Sequence, residues 1–160
     1  MGAGFDPIPC TIEAIIAAMI AHPHLQDRLR QELQDHLSRV GGCCDQPSFA
    51  QIDALPYLNA IIMEALRTVN SIETYQPRLV PKGGSTLCGY YLPEGTIVST
   101  QPYLVHNHPV LFASPEMFDP ERWLRGGREG YLNLSKNLFT FSRGPRACLG
   151  REYAMCGECF

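Results

Sequence analysis

Apolar positions in this chain follow two regimes. Up to residue 69 they recur at helical spacing, and beyond it they form short runs broken by glycine and proline. Residues 11–21 (TIEAIIAAMIA) are apolar and alanine-rich and predict a mostly buried helix. His22-Pro23 breaks it, because the residue before a proline is pushed out of the helical region. Residues 25–39 carry Leu25, Leu29, Leu33 and Leu37 four apart, with Gln26, Arg28, Arg30, Glu32 and Asp35 on the other faces. That pattern predicts an amphipathic helix with one wet side. Arg28/Glu32 and Asp35/Arg39 stand at pairing distance along it, and Gly41-Gly42 closes it. Ser48 is placed to cap a short helical turn through Leu55. Pro56 opens a longer helix over residues 57–69, with Leu58, Ile61, Ile62, Ala65, Leu66 and Val69 on one stripe. Glu64 and Arg67 are neighbours at the edge of that stripe.

After Asn70 the period changes. Residues 78–80, 86–92 and 96–99 predict short strands with glycine and proline at the corners. Residues 107–137 are rich in Pro, Gly and Asn and predict an irregular packed coil. Coils of that length are usually functional or held in place by something. A last helix is expected from near Leu149 to the C-terminus at Phe160. There is no internal repeat. The fold class is mainly α with small β sheets, and residues 1–160 read as a single segment.

Composition narrows the function. The chain has 160 residues, 45% of them hydrophobic, with a net charge of -3 and a pI of about 5.9. These values fit one domain-sized unit and point away from nucleic acid or an anionic membrane as partner. A local basic cluster (Arg122, Arg125, Arg128, Arg143, Arg146, Arg151) suits one anion or a docking face. Seven cysteines, an odd number, with no secretory signal ahead of them, suggest reduced thiols and a cytoplasmic chain as given. No run of about 18 apolar residues predicts a transmembrane segment. Met1-Gly2 does not complete a myristoylation motif, because Asp6 stands where Ser or Thr is needed.

The densest chemistry lies at residues 141–150, FSRGPRACLG. A metal-binding thiolate belongs where its charge is stabilised, and a helix N-terminus does this. Gly144 and Gly150 let the backbone approach a flat ligand, and Arg146 offers fixed charge to a carboxylate. Together with Cys148 these suit a haem held by an axial cysteine. A buried structural cysteine is the plainer reading, but it leaves the Phe141, Gly144, Arg146, Cys148, Gly150 spacing without a cause. Cys148, Cys156 and Cys159 make a poor zinc set, since gaps of seven and two residues match no common ligand pattern. A zinc-binding interaction module is therefore a remote alternative. His106-Asn-His108 is too short for a nuclease motif without a basic groove, His22 and His24 read as solvated, and RGPRACLGRE lacks the Gly-Lys-Ser/Thr of a phosphate loop.

Residues 141–150 resemble the haem-binding signature of the cytochrome P-450 family. The resemblance implies haem b, with Cys148 as proximal iron ligand and Arg146 on a propionate; Arg78, in PRLVPKGG, matches the strand arginine for the other propionate. Glu64-Ala-Leu-Arg67 matches the family's ExxR element and residues 118–123 (FDPERW) its PERF/PERW element. The resemblance thus implies a buried ionic triad of Glu64, Arg67 and Arg122 that pins the coil beneath the haem. Residues 88–96 (CGYYLPEGT) look like the family's hairpin, and the wording PKGGSTLCGYYLPEG is similar to filamentous-fungal members of secondary metabolism. The implied reaction is a monooxygenation of a small organic substrate, with electrons from an NADPH-dependent reductase.

Residues 3–8 (AGFDPI) align with the family's AGxDTT. Asp6 matches the acid of the proton relay, while Pro7 replaces the threonine and has neither hydroxyl nor N–H. Family members are several times longer. The chain is therefore expected to be the C-terminal portion of a cytochrome P-450 domain, incomplete at both ends, either an inactive remnant or a clipped form of a full enzyme. An endoplasmic-reticulum location is expected for a longer form carrying the family's anchor.

Overall fold

The computed structural model describes residues 6–40, 48–69 and 75–159. The expected helix stop at Gly41-Gly42, the Ala3–Phe5 part of the AGFDPI alignment and the side chain of Cys159 lie outside what is described. Four helices come first: α1 Pro7–Ala21, α2 Pro23–Val40, α3 Phe49–Asp53 and α4 Pro56–Thr68. Next come strands β1 Gln76–Leu79, β2 Ser85–Leu87, β3 Tyr90–Leu92 and β4 Ile97–Thr100. Helix α5 Pro102–His106, a 3-10 turn Pro120–Trp123, α6 Gly127–Ser135 and α7 Arg151–Cys159 complete the order. The fold is mainly helical with two small antiparallel sheets.

The centre of the molecule is α4. Tyr57 and every residue from Ala60 to Arg67 are buried, so this helix is covered all round. One core cluster gathers Ala60, Ile62, Met63 and Leu66 with Phe112 and Trp123, and Phe141 and Met155 pack against it. A second sets Leu25 of α2 against Tyr57 and Ile61. Helix α1 packs on α4, α2 and α7, and α7 also touches α3.

Helix α1 corrects the expectation of a mostly buried helix. Thr11 is its only buried residue, while Ile16 and Ile20 face outward. An all-apolar composition does not say which face finds a partner, and α1 packs along one side. Residues 86–92 are two strands rather than one, because Cys88 and Gly89 both take positive φ and fold the chain into a hairpin. The other sheet pairs β1 with β4, setting Gln76 against Thr100 and Leu79 against Ile97. Within the expected coil the structure contains α6. That helix opens at Gly126-Gly127 and includes Gly130, whose missing side chain admits the Arg125 carbonyl: an added Cβ would lie 2.1 Å from that oxygen. Such weak helix formers hid the element from periodicity.

Two expected pairings on α2 are also redirected. Arg28 pairs with Glu121 of the 3-10 turn and stacks on Tyr57. Asp35 accepts a hydrogen bond from Gln31. Glu32 reaches the N-terminus of α4, where its carboxylate accepts from the backbone N–H groups of Tyr57 at 2.8 Å and Leu58 at 3.0 Å. The helix has no side-chain cap of its own, since Leu55 holds the N-cap position, so an acid from another helix supplies the acceptor and the favourable charge.

Replacing that acid checks its role. Glu32→Ala is expected to lower unfolding free energy by about 1–2 kcal/mol, as other lost caps do, with Glu32→Gln in between. Asp27→Ala, which removes only an exposed ion pair with Arg30, should change it by less than about 0.5 kcal/mol. Urea melts of the three variants distinguish a cap from a surface pair.

Candidate functional site

Two turns into the buried part of α4, Glu64 and Arg67 come to the same face because they are three residues apart. Both are 0% exposed. Arg67 donates to Glu64 from Nε at 3.0 Å and from Nη2 at 2.8 Å, a two-point contact with one carboxylate. From the 3-10 turn, Arg122 Nε donates to Glu64 Oε1 at 3.1 Å and Trp123 Nε1 to Oε2 at 2.9 Å, while the Asp119 N–H reaches Oε1 at 2.9 Å. The last two donors were not visible in the sequence. Both lie within FDPERW, and a tryptophan directly after the triad arginine is the signal that was available, since a buried indole N–H needs an acceptor.

Five further guanidinium N–H bonds go to backbone carbonyls. Arg122 donates to the carbonyls of Ala113, Ser114 and Met117. Arg67 donates to those of Met117 and His106. Two cations thereby satisfy carbonyls in a segment that has no ladder of its own.

His106, at the end of α5, is 1% exposed. Its Nδ1 lies 3.1 Å from the Arg67 carbonyl, and its Nε2 accepts the Phe139 N–H at 2.9 Å. Burial, the largest influence, lowers its pKa to about 4; the hydrogen bond to the Arg67 carbonyl opposes this, and the nearby Arg67 charge adds to it. Burial likewise raises the hydroxyl of Tyr57, against the pull of Arg28, and that of Tyr131, against Arg151.

The cysteine loop follows from this frame. Thr140 donates its hydroxyl to the Leu66 carbonyl at 2.8 Å, and Phe141 packs on the main core with Arg151 over its ring. Ser142 and Gly144 take positive φ, a short 3-10 turn covers Gly144–Arg146, and the Cys148 N–H returns to the Phe141 carbonyl at 2.8 Å. Cys148 is exposed, three residues before α7. A Cβ added at Gly144 would meet nothing within 4 Å, and at Gly150 only the Cys148 sulfur at 3.9 Å. Arg78 and Arg146 line one open cleft of about 550 Å³ with Pro77, Leu79 and Ile97. Cys148 and Asp6 are not among its lining residues. Asp6 is the exposed N-cap residue of α1 and makes no capping hydrogen bond through its side chain. Pro7 opens α1, and the Thr11 hydroxyl is committed to the Pro7 carbonyl at 2.9 Å. Among the described residues, no group of three His, Cys, Asp or Glu side chains is arranged to hold a metal ion. No single described helix is long and apolar enough to cross a membrane.

A family model described as cytochrome P450 matches residues 1–157. The chain is 43% identical over 155 residues to the cytochrome P-450 monooxygenase macH of Penicillium terrestre, covering 96% of this chain and 30% of that protein. It is 40% identical over 136 residues to BOT1 of Botryotinia fuckeliana, covering 85% and 25%. To asqL of Emericella nidulans it is 39% identical over 151 residues, covering 94% and 30%. The chain thus spans between a quarter and a third of the length of these fungal monooxygenases.

Two measurements check the energetics of this site. Glu64→Ala leaves two buried guanidinium groups without their carboxylate and should cost about 3–5 kcal/mol in a urea melt, far more than any exposed pair. The second is acid sensitivity. The folded chain refuses a proton at His106 until about pH 4, whereas the unfolded chain takes it near the ordinary histidine pKa. Stability contributed by the neutral ring is therefore complete above about pH 6.5 and is lost as pH falls toward about 4, by up to about 3 kcal/mol. The slope of unfolding free energy against pH over that interval should flatten in His106→Gln.

Proposed function

The chain belongs to the cytochrome P-450 family, and from that premise we propose that it forms the haem-binding portion of a haem-thiolate monooxygenase. Residues 1–160 are read as one C-terminal segment of that domain. The observation that carries the reading is the cleft where Arg78 and Arg146 stand beside Leu79 and Ile97, two residues along the chain from an exposed cysteine.

The residues fit a haem. Cys148, a free and exposed cysteine, would be the axial ligand through its soft sulfur donor. Arg146 and Arg78 would hold the two propionates, and the faces of Leu79 and Ile97 offer apolar surface to a flat ring. Gly144 and Gly150 keep side chains out of its approach, and Phe141 anchors the loop to the core. When bound, the haem supplies the iron chemistry by which dioxygen is reduced and one oxygen atom enters an organic substrate. Asp6 is the candidate proton carrier. Pro7 beside it carries no hydroxyl, and Thr11, the nearest hydroxyl on that helix face, already donates to a carbonyl.

The likeness to fungal monooxygenases supports a secondary-metabolite class of substrate, an NADPH-dependent reductase as electron donor, and a location at the endoplasmic-reticulum membrane for an anchored form. A ligand test decides the central claim. Protein loaded with haem should give the ferrous-CO band of thiolate ligation. Cys148→Ser should abolish it, Cys156→Ser should keep it, and Arg78→Leu or Arg146→Leu should weaken haem retention. The same band in Cys148→Ser would remove Cys148 from the site.

A further inference from the structure

His106 makes two hydrogen bonds of opposite sense across the molecule. Its Nε2 faces a donor, the Phe139 N–H, and so must carry the lone pair. The ring proton then belongs to Nδ1, which donates to the Arg67 carbonyl. Either alternative form, the Nε2–H tautomer or the imidazolium, sets one N–H against another at Phe139. A histidine that merely filled this space beside Phe112 would need neither tautomer.

The two partners are not arbitrary. Arg67 is the residue that grips Glu64, and it answers His106 by donating its Nη1 to the His106 carbonyl. Phe139 is two residues before Phe141, whose carbonyl accepts the Cys148 N–H. The neighbouring Thr140 hydroxyl on the Leu66 carbonyl is a parallel tie from the same helix end. We infer that His106, fixed as the neutral ring protonated on Nδ1, is a positioning residue for the cysteine loop, joining the end of α4 to the backbone that leads into residues 141–150. Its histidine identity is set by geometry: one side chain must donate to a helix-end carbonyl and accept from a loop N–H in opposite directions at full burial. An apolar residue satisfies neither group, and an unpaired buried N–H at Phe139 favours opening of the loop.

The consequence for metal ligation rests on the haem-thiolate reading; the tautomer and the backbone tie do not. The experiment uses the full chain with labelled histidine. Ring-nitrogen NMR should report a protonated Nδ1 and an unprotonated Nε2 at His106. Hydrogen exchange at the Phe139 N–H should quicken by about tenfold in His106→Phe, reach the Cys148 N–H, spare the middle of α4, and be partly restored in His106→Gln. In haem-loaded His106→Phe, the share of the thiolate-type ferrous-CO band should fall although Cys148 is intact. An Nε2-protonated ring in the native chain, or unchanged exchange at Phe139 in a folded His106→Phe, overturns the inference. Should that variant not fold, the native tautomer decides alone. A chain that takes up no haem but shows the tautomer and the exchange pattern would refute the haem reading and leave the tie standing.

Discussion

The structure depends on a single buried carboxylate. Glu64, with no solvent contact, accepts five hydrogen bonds, from Arg67 twice, Arg122, Trp123 and the Asp119 backbone. A charge placed so deep is tolerated only when it is paired and saturated, because several kcal/mol of lost hydration must be offset. Two cations over-compensate one anion. The excess positive charge turns outward to carbonyl dipoles at His106, Ala113, Ser114 and Met117. This explains how a segment with little regular structure keeps a fixed course beside α4. Its carbonyls have no strand or helix to bond to, and the guanidinium forks replace one.

That arrangement also links distant parts of the sequence. α4 contributes the anion, the 3-10 turn contributes the second cation and the indole, and α5 and residues 139–140 attach to the same helix end through His106 and Thr140. The cysteine loop therefore leaves a rigid frame, although the loop itself takes positive φ at two positions and exposes its thiol. Rigidity lies behind the site and openness at its front.

Legibility in the sequence followed the range of each interaction. The amphipathic spacing of α2, the Pro56 start of α4 and the approximate strands near 78, 90 and 98 rest on local chemistry, so they could be read. The identity of Glu32 as a cap could not, because its target lies 25 residues on. Helical spacing alone put Glu64 and Arg67 only at the edge of a stripe; what buries them arrives from residues 112–123, which no helical period announces. Helix α6 was missed for the opposite reason, since its glycines lower local propensity while a close backbone approach at Gly130 makes glycine necessary. The cysteine loop stood out in the sequence through residue types at fixed spacing, whereas His106 looked like half of a weak tripeptide until its two partners were placed around it.

The two faces of the frame differ in how far their polar and apolar groups are satisfied. On the Glu64 side every guanidinium fork is engaged and the apolar neighbours Phe112 and Trp123 are almost fully buried. On the cysteine side the cleft holds two arginines, Leu79 and Ile97 are 70% and 67% exposed, and Leu149 beside Cys148 is fully exposed. Covering such aliphatic side chains stabilises by roughly 1.5–3 kcal/mol each when burial is complete, and an anionic group near the two guanidinium forks would add charge-assisted bonds. A flat, largely apolar ligand with two carboxylates would answer both deficits together. A small anion would leave the leucines and isoleucine wet, and a purely apolar ligand would leave the arginines with water. The demand for both chemistries in one cleft, two residues along the chain from Cys148, is the physical argument on which the proposed haem reading rests.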